Sequence, residues 1–381
     1  MTNQDSRPRR WTAAFAVAAL ALGLSACGAK VDDKSQGSGA GTATAEPASA
    51  PASETGGQGG TLTISNWDKY MPKDLIPSFE KATGIKVKLA KHATNEEIMG
   101  KLEAANGGGY DLVFVSGQFA ESLRKRGWAA AIDGAKIPNL KNLYPEASKL
   151  PYDPGNTHSV PYTWGTTGLC YRSDKVQGTP DSWSALLQPS AALKGKTTML
   201  ATDRWLLLPA LKQLGFSANT TDANQLKQAR DVLLETKKTL LAYDDTTFYS
   251  KLVSGEASLV EAWDGWCNYG IAENKKIKFV VPKEGADIWT DTMVVLESSK
   301  NKDAAMKFID WVLRPESGQG VVDLLFYKTP NKAAMDQLDP KLVKQYPNLG
   351  MSPADLLKQE GLRDLGAGQP AWSRIVTEIT S

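Results

Sequence analysis

Aromatic residues occur in four short segments of the sequence, 66–70, 116–119, 263–266 and 289–291, and all of these except 116–119 also contain an aspartate. An aromatic face attracts an ammonium group by about 0.5–2 kcal/mol per contact, depending on how far the contact excludes water. A carboxylate accepts charge-assisted hydrogen bonds from the same group. A single tryptophan taken alone is more often part of a core, but four such segments together predict a site for a small organic cation.

The sequence contains no complete motif for bond-making chemistry. Gly195-Lys196-Thr197 is like the end of a phosphate-binding loop, but Ser190 stands where its first glycine is required, so we predict a surface turn. Neither G-x-S-x-G nor C-x-x-C occurs. His92 and His158 lack the spacing of a metal pair, and both are predicted to lie at the surface. We predict a binding protein, not an enzyme, with no metal and no cofactor.

The elements that must position these segments alternate between strand and helix. Apolar spacing, the capping pattern Thr94–Glu97 and the glycine run 107–109 predict strands at 61–65, 85–89 and 110–115 and helices at 72–82, 94–105 and 119–126. Three of the four segments directly follow a predicted strand, and 289–291 lies near another. Ligands of open α/β sheets bind at the carboxyl ends of the strands.

The second half of the chain shows the same alternation of strands and helices, but its sequence does not repeat that of the first half. It predicts strands at 197–201, 257–263 and 277–281 and helices at 205–215, 222–238 and 302–313. The alternation predicts the α/β class, with two lobes that each contain an open, mostly parallel sheet.

The N-terminal region predicts export and a lipid anchor. Arg7, Arg9 and Arg10 precede an apolar run at 11–24, and small residues lead directly to Cys27. This pattern is typical of a lipoprotein signal peptide at 1–26 with lipidation of Cys27; an ordinary signal peptide is the alternative, and Arg9-Arg10 fit a twin-arginine signal poorly. Residues 27–60 are rich in Gly, Ala, Ser, Thr and Pro and are predicted to form a disordered tether. We therefore predict that the protein contacts the membrane only through this lipid anchor.

Charge and composition exclude further classes. The chain has 41% hydrophobic and 23% charged residues, which is typical of a globular protein. Loss of the leader, with its three arginines and one aspartate, from 44 basic and 42 acidic residues leaves 41 of each. A neutral chain is a poor partner for nucleic acid. Export would permit a disulfide between Cys170 and Cys267, but the sequence alone does not show that they meet.

From about 62 to 364 the chain resembles the bacterial periplasmic spermidine/putrescine-binding proteins, the solute receptors of polyamine ABC transporters. The resemblance is densest in the segments 65–70, 110–113, 160–165, 289–291 and 327–331. It implies a two-lobed periplasmic-binding-protein fold of type II, with lobe I at 61–165 and 289–335 and lobe II at 166–288 and 336–381. It also implies a monomer that delivers its ligand to ABC permease subunits.

The resemblance also implies roles for individual residues. Family positions that ring the ligand fall on Trp67, Tyr70, Trp263, Trp289 and Tyr327. The carboxylate that binds an internal amine falls on Asp291. Further cleft positions fall on Ser116, Asp68, Gln118, Trp205 and Asp264.

Four positions depart from the family pattern. Where the family has an acidic pair that receives a terminal amine, this chain has Thr202 and Trp205. Where the family has a glutamine and a tyrosine, this chain has Leu362 and Gln118. Asp203, Asp264 or Asp68 could compensate for the lost acids. The departures leave open a shorter diamine, a monoamine, a guanidinium compound or an amino-acid-like solute. A ligand sensor with the same fold is the alternative to a transport receptor.

Overall fold

The computed structural model describes residues 60–381, so the predicted leader, the lipidation at Cys27 and the tether up to residue 59 lie outside the described residues. The strands, in chain order, are β1 (Thr61–Trp67), β2 (Lys86–His92), β3 (Leu112–Ser116), β4 (Val160–Arg172), β5 (Thr197–Met199), β6 (Ala242–Tyr243), β7 (Leu259–Trp263), β8 (Ile277–Val280), β9 (Asp287–Val295) and β10 (Glu360–Gly361).

The helices alternate with these strands along much of the chain. They are α1 (Leu75–Thr83), α2 (Asn95–Ala104), α3 (Gly117–Lys125), α4 (Ser184–Leu187), α5 (Asp203–Gln213), α6 (Ala223–Lys237), α7 (Phe248–Ser254), α8 (Asp264–Glu273), α9 (Lys302–Val312), α10 (Pro315–Leu325), α11 (Lys332–Met335), α12 (Pro340–Gln345), α13 (Pro353–Leu356) and α14 (Gln369–Thr380). Within the part of the chain described, no helix combines the length and the apolar character needed to cross a membrane.

The strands pair in the order β2-β1-β3-β9-β4-β7-β5-β6, with β10 beside β9 and β8 beside β4. Parallel pairing joins β1 to β2 and β3, and β5 to β6 and β7. The two long strands β4 and β9 run antiparallel to each other and to their neighbours β7 and β3. The α/β class is confirmed, and each parallel region ends at an antiparallel strand.

Strand β4 connects two sheet regions, one formed by β1, β2, β3 and β9 and the other by β5, β6, β7 and β8. Its first part, Val160 to Thr166, pairs with β9, and its second part pairs with β7 and β8. The strand is buried along all but its last residue, so its side chains are apolar or small throughout and show no alternation. Cys170 of this strand forms a disulfide with Cys267 of α8, which answers the pairing that the sequence left open.

Local sequence explains the ends of the elements that carry the site. Thr94 caps α2 by accepting a hydrogen bond from the amide of Glu97, as its spacing predicted. Strand β3 is buried at all five residues and ends at Ser116, where α3 begins at once. Trp263 ends β7 in the same way, and α8 begins at Asp264. Strand-to-helix junctions therefore present these side chains at the carboxyl edges of the sheet.

A short C-terminal segment, residues 360–364, joins the two sheet regions and is called the strap below. On one side, Glu360 binds the Lys212 ammonium of α5 and accepts the Ala218 amide at 2.9 Å. On the other side, Arg363 donates to both oxygens of Glu121 on α3, at 2.6 and 2.9 Å.

Candidate functional site

Four aromatic rings predicted for the site form a continuous line. The ring centroids are 5.3 Å apart for Trp67 and Tyr70, 6.4 Å for Tyr70 and Tyr327, and 4.8 Å for Tyr327 and Trp289, each pair edge-on. Trp67 ends β1, Tyr70 lies in the next loop, Trp289 lies in β9 and Tyr327 follows α10. Residues far apart in the chain thus share one surface.

Asp291 contacts this line at Tyr70, one of its inner rings, and is held in a fixed orientation. Its Oδ2 accepts a hydrogen bond from the Tyr70 hydroxyl at 2.6 Å, and its Oδ1 accepts one from the Ser116 hydroxyl at 2.7 Å. Burial raises the pKa of Asp291, and this effect outweighs the hydrogen bonds from Tyr70, Ser116 and Thr163. A cation bound here would restore the charged form of the carboxylate. Thr163 of β4, which also contacts the Tyr70 hydroxyl at 3.0 Å, was not singled out from the sequence.

Two glycines allow the rings to approach the backbone. A Cβ on Gly165 of β4 would overlap both the Trp289 ring and the Asp264 Oδ1. A Cβ on Gly265 would overlap the Tyr327 ring. The absence of a side chain at these two positions therefore determines where Trp289 and Tyr327 pack.

Asp264 is already neutralised by the protein itself. Its carboxylate forms a buried ion pair with Lys328, whose ammonium also donates to the Asn348 carbonyl at 3.0 Å. Burial raises the pKa of Asp264, and the Lys328 charge opposes that rise. Asp264 therefore lies beside the rings but has a cation of its own. No role was predicted for Lys328 from the sequence. Its position directly after Tyr327, an aromatic residue predicted for the site, was the signal that could have identified it.

A second aromatic pair lies at the other sheet region. The rings of Trp205 and Trp263 are 5.3 Å apart and edge-on, and the Trp205 Nε1 donates to Asp287 Oδ2 at 2.9 Å. Asp287 also accepts the Thr167 amide at 3.2 Å, and burial raises its pKa to about 6. Trp205 is thus one turn of α5 beyond Thr202 and covers a buried carboxylate.

The structure leaves two predicted residues away from the rings. Asp68 is exposed, and its carboxylate pairs with Lys91 at 2.6 Å. Gln118 lines a small pocket together with Leu362, Ile288 and Thr290. Successive residues of a strand face opposite sides, so this pocket lies across β9 from Trp289 and Asp291. Asp203, named as a substitute acid, binds Gln369 and Ser373 of α14.

The prediction that His92 is a surface residue is wrong. Its ring is only 3% exposed, its Nδ1 shares a hydrogen bond of 2.8 Å with the Ser65 hydroxyl, and its ring lies 4.8 Å from that of Trp67. Burial lowers the pKa of His92 to about 4. The strand β2 extends to His92, beyond its predicted end at 89, and so carries the ring under Trp67. Across residues 60–381, no three His, Cys, Asp or Glu side chains are placed to hold a metal ion.

An α/β protein of two connected sheet regions, with an aromatic and acidic surface at the strand ends, has the architecture of a solute receptor. The family model "Bacterial extracellular solute-binding protein" matches residues 74–350. The spermidine/putrescine-binding periplasmic protein of Salmonella typhimurium is 35% identical over 285 residues, which cover 74% of this chain and 81% of that protein. The protein of the same name from Escherichia coli K12 is 32% identical, over 84% of this chain and 91% of the relative.

A solved structure agrees with these relatives. The spermidine/putrescine ABC transporter substrate-binding protein PotD of Streptococcus pneumoniae superimposes with a TM-score of 0.72 and 26% identity, over 84% of this chain and 98% of that one. The chain belongs to the family of bacterial extracellular solute-binding proteins. The two-lobed fold is that of this family, which consists of transport receptors and not of enzymes.

Proposed function

We propose that this protein is an extracytoplasmic receptor that captures a polyamine, a small organic cation of the putrescine and spermidine class, and delivers it to an ABC permease. Asp291 carries this proposal. Its two oxygens are oriented by Tyr70 and Ser116, and Tyr70 belongs to the aromatic line. No lysine or arginine of residues 60–381 forms an ion pair with it, so a cationic ligand would be its counter-charge and would favour its charged form.

The aromatic line fits the rest of such a ligand. The rings of Trp67, Tyr70, Tyr327 and Trp289 offer faces and edges to methylenes and ammonium groups, at about 0.5–2 kcal/mol for each cation contact. Two of the relatives described above carry spermidine and putrescine in their names, and this supports the same ligand class here.

The proposed mechanism is closure of two lobes on the ligand. Lobe I comprises 61–165 and 289–335, and lobe II comprises 166–288 and 336–381. The connecting strand β4 and the start of β9 lie at the boundary between them. Asp291 and Trp289 belong to lobe I and Trp263 to lobe II, so a bound ligand contacts both and favours the closed form.

The leader and tether complete the proposal. Export through the signal at 1–26, lipidation at Cys27 and a tether up to residue 60 would hold a monomeric receptor near the permease at the outer face of the membrane. Mass spectrometry of the protein from membranes tests this directly: a diacylated N-terminal Cys27 is expected, and an unmodified N-terminus would contradict the anchor.

Calorimetry with a panel of solutes tests the ligand. Spermidine, putrescine, butylamine, agmatine, glutamate and phosphate are titrated into the purified protein. We expect saturable binding of a polyamine, accompanied by stabilisation of about 2.7 kcal/mol when the ligand is present at 100 times its Kd. If the amines are silent and glutamate or phosphate binds, the receptor function stands but the polyamine assignment does not.

A further inference from the structure

One face of the two connecting strands carries carboxylates at both ends. Asp287, Trp289 and Asp291 alternate along β9, so they share a face, with about 13 Å between the outer two along the strand. Opposite them on β4 lie Gly165, paired with Trp289, and Thr163, paired with Asp291. The order along this face is therefore acid, ring, acid.

The neighbouring strand β7 extends that face. Trp263 pairs with Thr167 of β4, and Glu261 pairs with Leu169. Because Thr167 and Leu169 continue the alternation of Thr163 and Gly165 along β4, Trp263 and Glu261 lie on the same face. Glu261 is fully buried. Its Oε2 accepts the Leu200 amide at 3.1 Å, while its Oε1 has no hydrogen-bond partner anywhere in residues 60–381.

A third carboxylate lies beside Thr202. Asp245 follows β6 and accepts the Ala201 amide at 2.8 Å and the Thr202 hydroxyl at 3.2 Å. It is partly exposed, whereas Asp287 and Glu261 are not. Burial raises the pKa of Asp245, and the nearby Asp244 charge raises it further.

These three carboxylates differ from Asp264 in one respect. Asp264 has Lys328 as its counter-charge, but among residues 60–381 no lysine or arginine forms an ion pair with Asp245, Glu261 or Asp287. Asp245 and Asp287 both act electrostatically on Glu261. Burial raises the pKa of Asp245, Glu261 and Asp287, and Arg204 acts on Asp287 without forming an ion pair with it. A bound cation would favour the charged forms of these carboxylates.

We propose that Asp245 is the residue that receives a terminal ammonium of the ligand, in front of the Trp205–Trp263 pair and with the Asp287 and Glu261 carboxylates behind it. The inference rests on the proposed polyamine function and names its second contact point. The first ammonium binds Asp291 and the chain crosses Trp289. Asp291 lies at one end of the strand face, and Asp245 acts on Glu261 together with Asp287, which lies at the other end about 13 Å away. The longer spermidine therefore fits the two positions better than putrescine, and a monoamine gains nothing from Asp245.

The test compares amines of different length in matched variants. Kd values for spermidine, putrescine and butylamine are measured by calorimetry in the unaltered protein, Asp245→Asn and the control Asp203→Asn. Asp203 is the matched residue because it is a partly exposed aspartate that binds α14 instead of facing the rings. We expect Asp245→Asn to weaken spermidine about 10- to 100-fold and to leave butylamine unchanged, because one charge-assisted contact is lost. Asp203→Asn should change neither.

The outcomes separate the two proposals. If the unaltered protein binds no amine, the polyamine function falls and this inference falls with it. If it binds spermidine and Asp245→Asn keeps the same ratio of spermidine to butylamine affinity, only the role of Asp245 is overturned. Should Asp245→Asn fail to fold, Asp245→Ser, which retains an oxygen acceptor for the Ala201 amide, replaces it, and the same ratio decides.

Discussion

Replacement of Asp291 by asparagine isolates the charge at the residue on which we expect binding to depend most. The substituted amide would keep the size of the side chain and one oxygen for the hydroxyls of Tyr70 and Ser116, but it would offer no counter-charge to an ammonium. Loss of a hydrogen bond to a charged group costs about 1.5–3 kcal/mol, so we expect spermidine affinity to fall at least 10-fold in calorimetry. Asp68→Asn is the control because Asp68 is exposed and pairs with Lys91. Equal affinities in the two variants would remove Asp291 from the site.

His92 gives a prediction about pH. The folded protein holds this imidazole neutral, with a pKa of about 4 instead of 6.5, because burial disfavours the charged ring. The unfolded chain therefore binds a proton more readily, and the contribution of His92 to stability is complete above pH 6.5 and is lost as the pH falls towards 4. The loss amounts to about 3 kcal/mol. Urea unfolding at pH 7 and pH 4.5 measures how far the free energy of unfolding decreases with pH. This decrease should be smaller in His92→Gln than in the unaltered protein, and equal decreases would contradict the neutral ring.

At this scale the sequence predicts types of residue better than their partners. Local patterns at the strand ends predicted the aromatic segments, and the family resemblance implied the roles of Asp291 and of the individual rings, including Tyr327. The sequence did not predict that Lys328 neutralises Asp264 or that Ser65 binds His92, because each pair joins residues far apart in the chain. Burial of a polar group depends on such a partner, so a local pattern cannot reveal it.

At the scale of the element, the disulfide connects β4 to the helix that follows Trp263. Cys170 and Cys267 enclose a loop of about a hundred residues, for which the chain-entropy model gives stabilisation of about 4.7 kcal/mol and experience with native disulfides gives about 2–5 kcal/mol. The double variant Cys170→Ser, Cys267→Ser should therefore lower the free energy of unfolding by about 2–5 kcal/mol. Both side chains are buried away from the rings, so affinity for the ligand should change less than about threefold.

Reduction of the unaltered protein is the matching control, since it breaks the same bond without substituting a residue. Urea unfolding with and without dithiothreitol should give the same difference as the double variant. If the variant and the reduced protein are as stable as the oxidised one, β4 and α8 are held by packing alone. The sequence predicted β3 from its continuous apolar run, but it missed β4 as a strand because the threonines and glycines between 163 and 168 leave neither an alternation nor such a run.

At the scale of the molecule, the strap determines how firmly the two sheet regions stay together. Arg363 binds Glu121 through two hydrogen bonds, and the Asp364 amide adds a third at 2.9 Å. Burial alone would raise the pKa of Glu121, but these donors and Lys125 outweigh it and lower the pKa to about 2. The Arg363 carbonyl in turn accepts a hydrogen bond from Arg204 of α5 at 2.7 Å. One residue therefore connects α3 to α5.

Removal of this connection should open the receptor. Arg363→Ala leaves the buried Glu121 without its main counter-charge, and because Arg363 is itself half-exposed we expect a loss of about 1–3 kcal/mol in stability. The closed form should lose more than the open one, because the hydrogen bonds join the two regions. Small-angle scattering should show a larger radius of gyration without ligand and the unaltered radius at saturation, with affinity several-fold weaker. Lys125→Ala, which removes an exposed partner of the same Glu121, should leave the radius unchanged. If Arg363→Ala loses stability but keeps both the radius and the affinity, the strap braces the fold without controlling closure.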